Sequence, residues 1–94
     1  MKKVSFSTHI SWQKIPNTNF AFVYNILTHK YYELQNTDLY IWELIGERGN
    51  VDIDEIIKEV SIYYQIDFNE IKEDILKFVN SLIEVGVLTI YEYN

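Results

Sequence analysis

The residues of this chain that could do chemistry are few, and their spacing argues against catalysis. His9 and His29 fall in or beside predicted strands and turns, without the helical H-x-x-x-H spacing or the neighbouring carboxylate pair that a zinc site requires. They read as surface polar residues. Glu70 with Asp74 and Glu55 with Glu59 have i, i+4 spacing, which can hold two carboxylates together for acid–base work or for calcium. No EF-hand loop accompanies them, and Lys77 stands ready to pair with Glu73, so these acids read as solvated helix faces. The absence of cysteine removes thiolate ligands, disulfides and cysteine nucleophiles together. Gly46-Glu47-Arg48-Gly49 lacks the preceding strand and following Lys-Ser/Thr of a phosphate cradle and reads as a turn between helices. No catalytic residue, metal ligand or cofactor is expected.

Charge narrows the partners. Eight Lys and Arg stand against fourteen Asp and Glu, a net charge of −6, whereas a domain that neutralises phosphates usually carries the opposite balance. The eight tyrosines could stack on bases, but beside so many acids, core and rim packing is the expected role. The charge is also uneven. Residues 1–34 hold Lys2, Lys3, Lys14 and Lys30 against Glu33 alone, while the remaining residues hold nearly all the acids. MKKVSFSTHI has no apolar stretch behind its lysines, so no signal peptide is expected. No run approaches the roughly 20 apolar residues that cross a bilayer, and a cytoplasmic protein without a membrane partner is expected.

The elements that would position a site follow from periodicity. With 94 residues, 48% of them hydrophobic, and only three glycines and one proline, the chain reads as a single domain with a real core. That core is expected over about residues 9–88, with a tail from 89 to 94. His9–Ile15 reads as a strand ended by Pro16. Phe20–Tyr24 and Lys30–Leu34 alternate as two further strands with hairpin spacing, Tyr32 and Leu34 sharing one face and Tyr31 and Glu33 the other. Helical spacing then takes over. A short helix follows Asn36 or Thr37 and ends near Gly46; a second spans about Ile53 to Tyr64, capped by Asp52; a third opens with Asp67-Phe68-Asn69-Glu70 and ends at Gly86. The tail VLTIYEYN alternates again, as a returning strand or an exposed arm. Three strands followed by three helices is an α+β order, and a winged helix-turn-helix would supply this content.

The third helix is apolar over more than one stripe. Ile71, Ile75, Phe78, Leu82 and Val85 form the expected core face, and Leu76, Val79 and Ile83 lie about 60–120° around from it, with Lys72 among them. The second stripe suits a groove wall. A strand edge at Lys30–Leu34 beside it would let an extended peptide add to the sheet while its side chains enter the groove.

Motif order points the same way. Tyr31-Tyr32-Glu33-Leu34, Thr37, Ile41-Trp42-Glu43-Leu44, Val51, Ile56-Ile57, Tyr64, Ile66-Asp67, Asp74-Ile75, Phe78, Leu82 and Gly86-Val87-Leu88 together resemble the PqqD-like family, over about residues 12–88. Its members are the recognition elements that hold leader peptides of ribosomally made, post-translationally modified peptides. Two positions depart from the family pattern: Gln35 stands where asparagine is usual, and Asp38 where glycine is frequent.

The resemblance implies a winged helix-turn-helix with a three-stranded antiparallel sheet and three helices. It implies a leader lying along the third strand as an added antiparallel strand, in the cleft beside the third helix. The strand residues so implied are Lys30, Tyr31, Tyr32, Glu33 and Leu34; the helix residues are Lys72, Leu76, Val79 and Ile83, with Ile75 at the cleft floor. The implied partners are the leader and a separate enzyme, either a radical-SAM enzyme or a lasso-type leader protease. Two other classes share these elements: a winged-helix regulator that reads DNA, and a structural subunit for protein interaction.

Overall fold

The structure, a computed structural model, describes residues 2–92. In chain order its elements are β1 (Lys2–Phe6), β2 (Ile10–Lys14), β3 (Phe20–Asn25), β4 (Lys30–Gln35), α1 (Thr37–Arg48), β5 (Val51–Asp52), α2 (Ile53–Tyr64), α3 (Phe68–Glu84) and β6 (Leu88–Glu92). The first sheet is the antiparallel meander β2-β3-β4 expected from alternation. β3 and β4 pair from Phe20↔Gln35 to Asn25↔Lys30, and His29 takes a φ of 60° in the turn that joins them. The pairing puts Ala21, Val23 and Leu34 in the core and leaves Phe20, Phe22 and Tyr31 exposed. Among the described residues no tyrosine is buried, so the aromatic content serves the surface more than the interior. No described helix is long and apolar enough to cross a membrane.

A second three-stranded sheet, ordered β5-β1-β6, was not foreseen. β1 is its central strand, pairing Val4 with Val51 on one side and with Ile90 on the other. Val4 is fully buried, so the packed unit begins before His9 and reaches beyond Leu88. The tail through Glu92 is a strand of this sheet, not an arm, and positions 93 and 94 lie outside the described residues. Lys2-Lys3 and a single pairing ladder of two residues at β5 gave the sequence little amphipathic signal to read.

The helices follow their caps. Asp52 accepts a hydrogen bond from the Asp54 N–H at 2.9 Å, and Asp67 accepts one from the Asn69 N–H at 3.1 Å. Asn36 precedes α1 with a φ of 56° but makes no side-chain cap bond. α1 does not stop at Gly46; it continues to Arg48 and ends at Gly49, whose φ is 77°. Gly46 sits within the helix, and the Phe6 ring lies against it. A Cβ there would sit 2.6 Å from the Phe6 ring tip, so the glycine provides a packing surface instead of a turn.

Three aromatic rings and one amide join the layers. Phe6 of β1 stacks on Trp42 of α1 with centroids 4.0 Å apart, and Trp12 of β2 meets both rings edge-on at 6.1 Å. Asn25, at the end of β3, is 1% exposed. Its Nδ2 donates to the Val85 carbonyl at 2.9 Å, while its Oδ1 accepts from the N–H groups of Leu27 and Thr28. His9 Nε2 donates to the Gly86 carbonyl at 2.9 Å. The sheet is thereby fastened to the C-terminal end of α3. Gly86 has a φ of 83°, and a Cβ on it would approach Asn25 Nδ2 to 3.2 Å.

Asn25→Ala would strand one buried carbonyl and two N–H groups. We expect it to lower unfolding stability in urea by about 2–3 kcal/mol, and a loss well under 1 kcal/mol would show that the amide is not a clamp.

Candidate functional site

β4 is an edge strand. β3 covers one side of it, and no described strand covers the other, so alternate N–H and C=O groups along Lys30–Gln35 point outward without a ladder partner. Its side chains follow the expected parity. Tyr31 is 71% exposed and Leu34 2%; Lys30 and Glu33 are exposed and Tyr32 is half-buried.

Contacts at the two ends of α3 orient it relative to the β3–β4 hairpin. At the Lys30 end of the sheet, Asn25 and His9 hold Val85 and Gly86 at the helix C-terminus. At the Gln35 end, the chain passes directly into Thr37 and Asp38, which share a cavity with Glu70 and Ile71 at the helix N-terminus. The cavity holds about 370 Å³ and lies between α1 and α3. Ile41, Ile66, Ile71, Ile75 and Phe78 give it apolar walls, and Asp38, Glu70 and Asp74 supply its acidic lining. An extended chain laid along β4 would pass from the clamped end toward this cavity.

The residues singled out from sequence do not all gather here. Ile75 lines the cavity. Val79 is fully buried, Leu76 and Ile83 pack half-buried against the core, and Lys72 is exposed. None of these four lines the cavity, nor does any residue of Lys30–Leu34; it instead meets Ile71 and Phe78 from the stripe expected to be core, together with Asp74. The physical reason is that α3 touches both α2 and β6. Covering two neighbours buries Ile75, Val79 and Leu82 and leaves Ile71, Leu76, Phe78 and Ile83 half-buried on either side of them. Ile41, Ile66 and Asp38 were missed because only the packing of α1 on α3 brings them together.

The remaining polar groups are structural. His29 Nδ1 lies 2.8 Å from the Tyr24 hydroxyl. Arg48 of α1 engages Glu59 and, at 3.9 Å, Glu55 of α2, so that acidic pair flanks a guanidinium at the solvent-accessible surface. The bond to Glu59 holds the Arg48 guanidinium above its ordinary pKa. Tyr40 stacks on Tyr63 at 4.5 Å and meets Tyr64 edge-on. Burial raises the Tyr40 phenol above its usual pKa, with the Glu59 charge adding to it. Among the described residues no three His, Asp or Glu side chains are grouped to hold a metal ion. The free edge and the cavity suit binding of an extended chain.

Comparison with known proteins places this geometry. The family described as coenzyme PQQ synthesis protein D (PqqD) matches residues 21–88, a span that holds β4, all three helices and every cavity residue. No curated protein matches the chain. Among solved structures, "TbiB1 in Complex with the TbiA(beta) Leader Peptide" aligns with a TM-score of 0.80 at 20% identity, covering 96% of this chain and 98% of that one. That likeness is one of fold.

Burial at the cavity raises the Asp38 carboxyl above the usual carboxylate range. The folded state therefore binds the Asp38 proton more tightly than the unfolded chain. The sign follows: this residue's contribution makes stability fall as pH rises from the ordinary aspartate range through the raised folded pKa. Asp38→Asn should remove that component from the pH dependence of unfolding, measured as the difference between the two proteins. Parallel curves would show that Asp38 is fully hydrated.

Proposed function

The chain belongs to the coenzyme PQQ synthesis protein D (PqqD) family, and from that premise we propose that it binds the leader of a ribosomally made precursor peptide and presents it to a separate modifying enzyme. The observation that carries this reading is the uncovered edge of β4, whose last residue, Gln35, is followed after Asn36 by the Thr37 and Asp38 that line an apolar-walled cavity. Backbone pairing along the edge supplies affinity for any extended chain, and the cavity supplies selection. TbiB1, whose fold this chain shares, was solved with a leader peptide bound. In this reading the protein is a binding domain and not an enzyme. It works in the cytoplasm by raising the effective concentration of substrate at a radical-SAM enzyme or a lasso-type leader protease.

The order α1-β5-α2-α3-β6 supports the winged helix-turn-helix reading, with α2 and α3 as the helix pair and β1 and β6 as the wing. The charge of α3 speaks against DNA as the ligand of that fold. Lys72 and Lys77 share the helix with Glu70, Glu73, Asp74 and Glu84, a surface that repels phosphate.

The strand residues Lys30, Tyr31, Tyr32, Glu33 and Leu34 remain in the proposed site, chiefly through their backbone. On the helix, Ile71, Asp74 and Phe78 join Ile75 as the side chains in reach, and Lys72, Leu76, Val79 and Ile83 serve as its flank and support.

Fluorescence anisotropy tests this with the labelled N-terminal segment of a short peptide encoded beside the gene, and labelled duplex DNA in parallel. Saturable peptide binding with DNA silent is the expected result; DNA binding that survives added salt would overturn the reading. Ile71→Asp, at a half-buried position near the helix start, should weaken peptide binding at least tenfold, about 1.4 kcal/mol, while keeping a cooperative thermal transition at a lowered melting temperature. Val79→Asp places a charge in the interior and should unfold the protein instead.

A further inference from the structure

We propose that the cavity between α1 and α3 selects leaders by a paired requirement: one apolar side chain for its walls, and a lysine or arginine two residues away for its acidic lining. This rests on the leader-binding reading and adds the chemistry of the ligand to it.

The walls define the first half. Ile41, Ile66, Ile71, Ile75 and Phe78 offer only hydrocarbon to an incoming side chain, so a polar residue would lose its water there without gaining a hydrogen bond. The acids define the second half. Asp38 stands in the first turn of α1, and Glu70 and Asp74 stand one turn apart on α3. All three line the cavity, which no lysine, arginine or histidine joins. Among the described residues none of the three forms an ion pair, although Glu43, Glu55, Glu59 and Glu92 all do. Burial already disfavours the charge on Asp38, and a cation beside it would offset that cost while water is being displaced.

The strand geometry sets the spacing. A chain added to β4 places residues i and i+2 on the same face, roughly 6.5–7 Å apart. β4 ends at Gln35, just before Thr37 and Asp38 of the cavity lining, so a chain that follows this edge to its end and sets an apolar side chain in the cavity carries its second neighbours to the same side as the acids. An acidic residue at that place would be repelled, so the pairing rejects as well as selects.

The test uses the full chain labelled with ¹⁵N and three acetylated, amidated hexapeptides of otherwise identical sequence. Each has isoleucine at its third position; the fifth is lysine, glutamine or glutamate. Amide shifts of Asp38, Ile71 and Asp74 report the cavity, and those of Lys30–Gln35 report the strand edge. The expected order of affinity is lysine, glutamine, glutamate, with about fivefold between the first two, shrinking in added salt. Asp38→Asn and Asp74→Asn should each reduce the lysine preference, whereas Glu84→Gln, which changes net charge equally but lies outside the cavity, should preserve it.

Equal affinity for the three peptides would overturn the paired requirement, as would a lysine preference that falls equally in Glu84→Gln. Shifts confined to the strand edge, or none at all, would also overturn it. None of these results removes leader binding itself, which the anisotropy with the gene-neighbour segment judges separately.

Discussion

Everything that makes the cleft depends on the buried amide of Asn25. It terminates β3, closes the following turn through Leu27 and Thr28, and holds the carbonyl of Val85 where α3 ends. A side chain with one donor and one acceptor thus sets the position of the sheet relative to the helix, because any shift would leave buried polar groups without partners. His9 and Gly86 repeat the attachment one residue on. Only glycine suits that place, both for its positive φ and for the closeness of the Asn25 amide.

The sheet is fastened at one end of α3, and the opposite end of that helix is open. Val85 and Gly86 are tied to Asn25 and His9 at its C-terminal end, and a cavity lies against α1 at its N-terminal half. The aromatic contact of Phe6, Trp12 and Trp42 holds the other layer, keeping the second sheet against α1. An uncovered strand edge ordinarily invites aggregation. Here Lys30 and Glu33 stand exposed along it, which disfavours pairing with a second copy by chance and leaves room for a chosen peptide.

Much of this was legible. The Ile53–Tyr64 helix announces itself through Ile53, Ile56, Ile57 and Val60 at helical spacing after a capping aspartate, and the structure reproduces its limits. The alternation of Lys30–Leu34 gave the edge strand and the face of each side chain. Strong local signals of this kind arise where a segment buries one face against a broad neighbour. The signal fails where that condition fails. β1 has a lysine pair and only two apolar residues, and it is recognisable as a strand only through its partners Val51–Asp52 and Leu88–Glu92. Gly46 looks like a helix stop until the Phe6 ring is seen against it.

The sequence by itself determined the kind of protein this is: its helices, its hairpin, its acidic charge, and a motif order that pointed to the right family. These are properties of residues near one another along the chain. How far each apolar residue of α3 is covered was decided only by tertiary structure, because Ile71, Ile75 and Phe78 on one stripe and Leu76, Val79 and Ile83 on the other are equally apolar. Periodicity shows that both stripes must be covered. The placement of α2 and β6 against the helix buries Ile75, Val79 and Leu82 and leaves their neighbours half-buried, and only the fold brings Asp38 of α1 to Glu70 and Asp74 around one cavity.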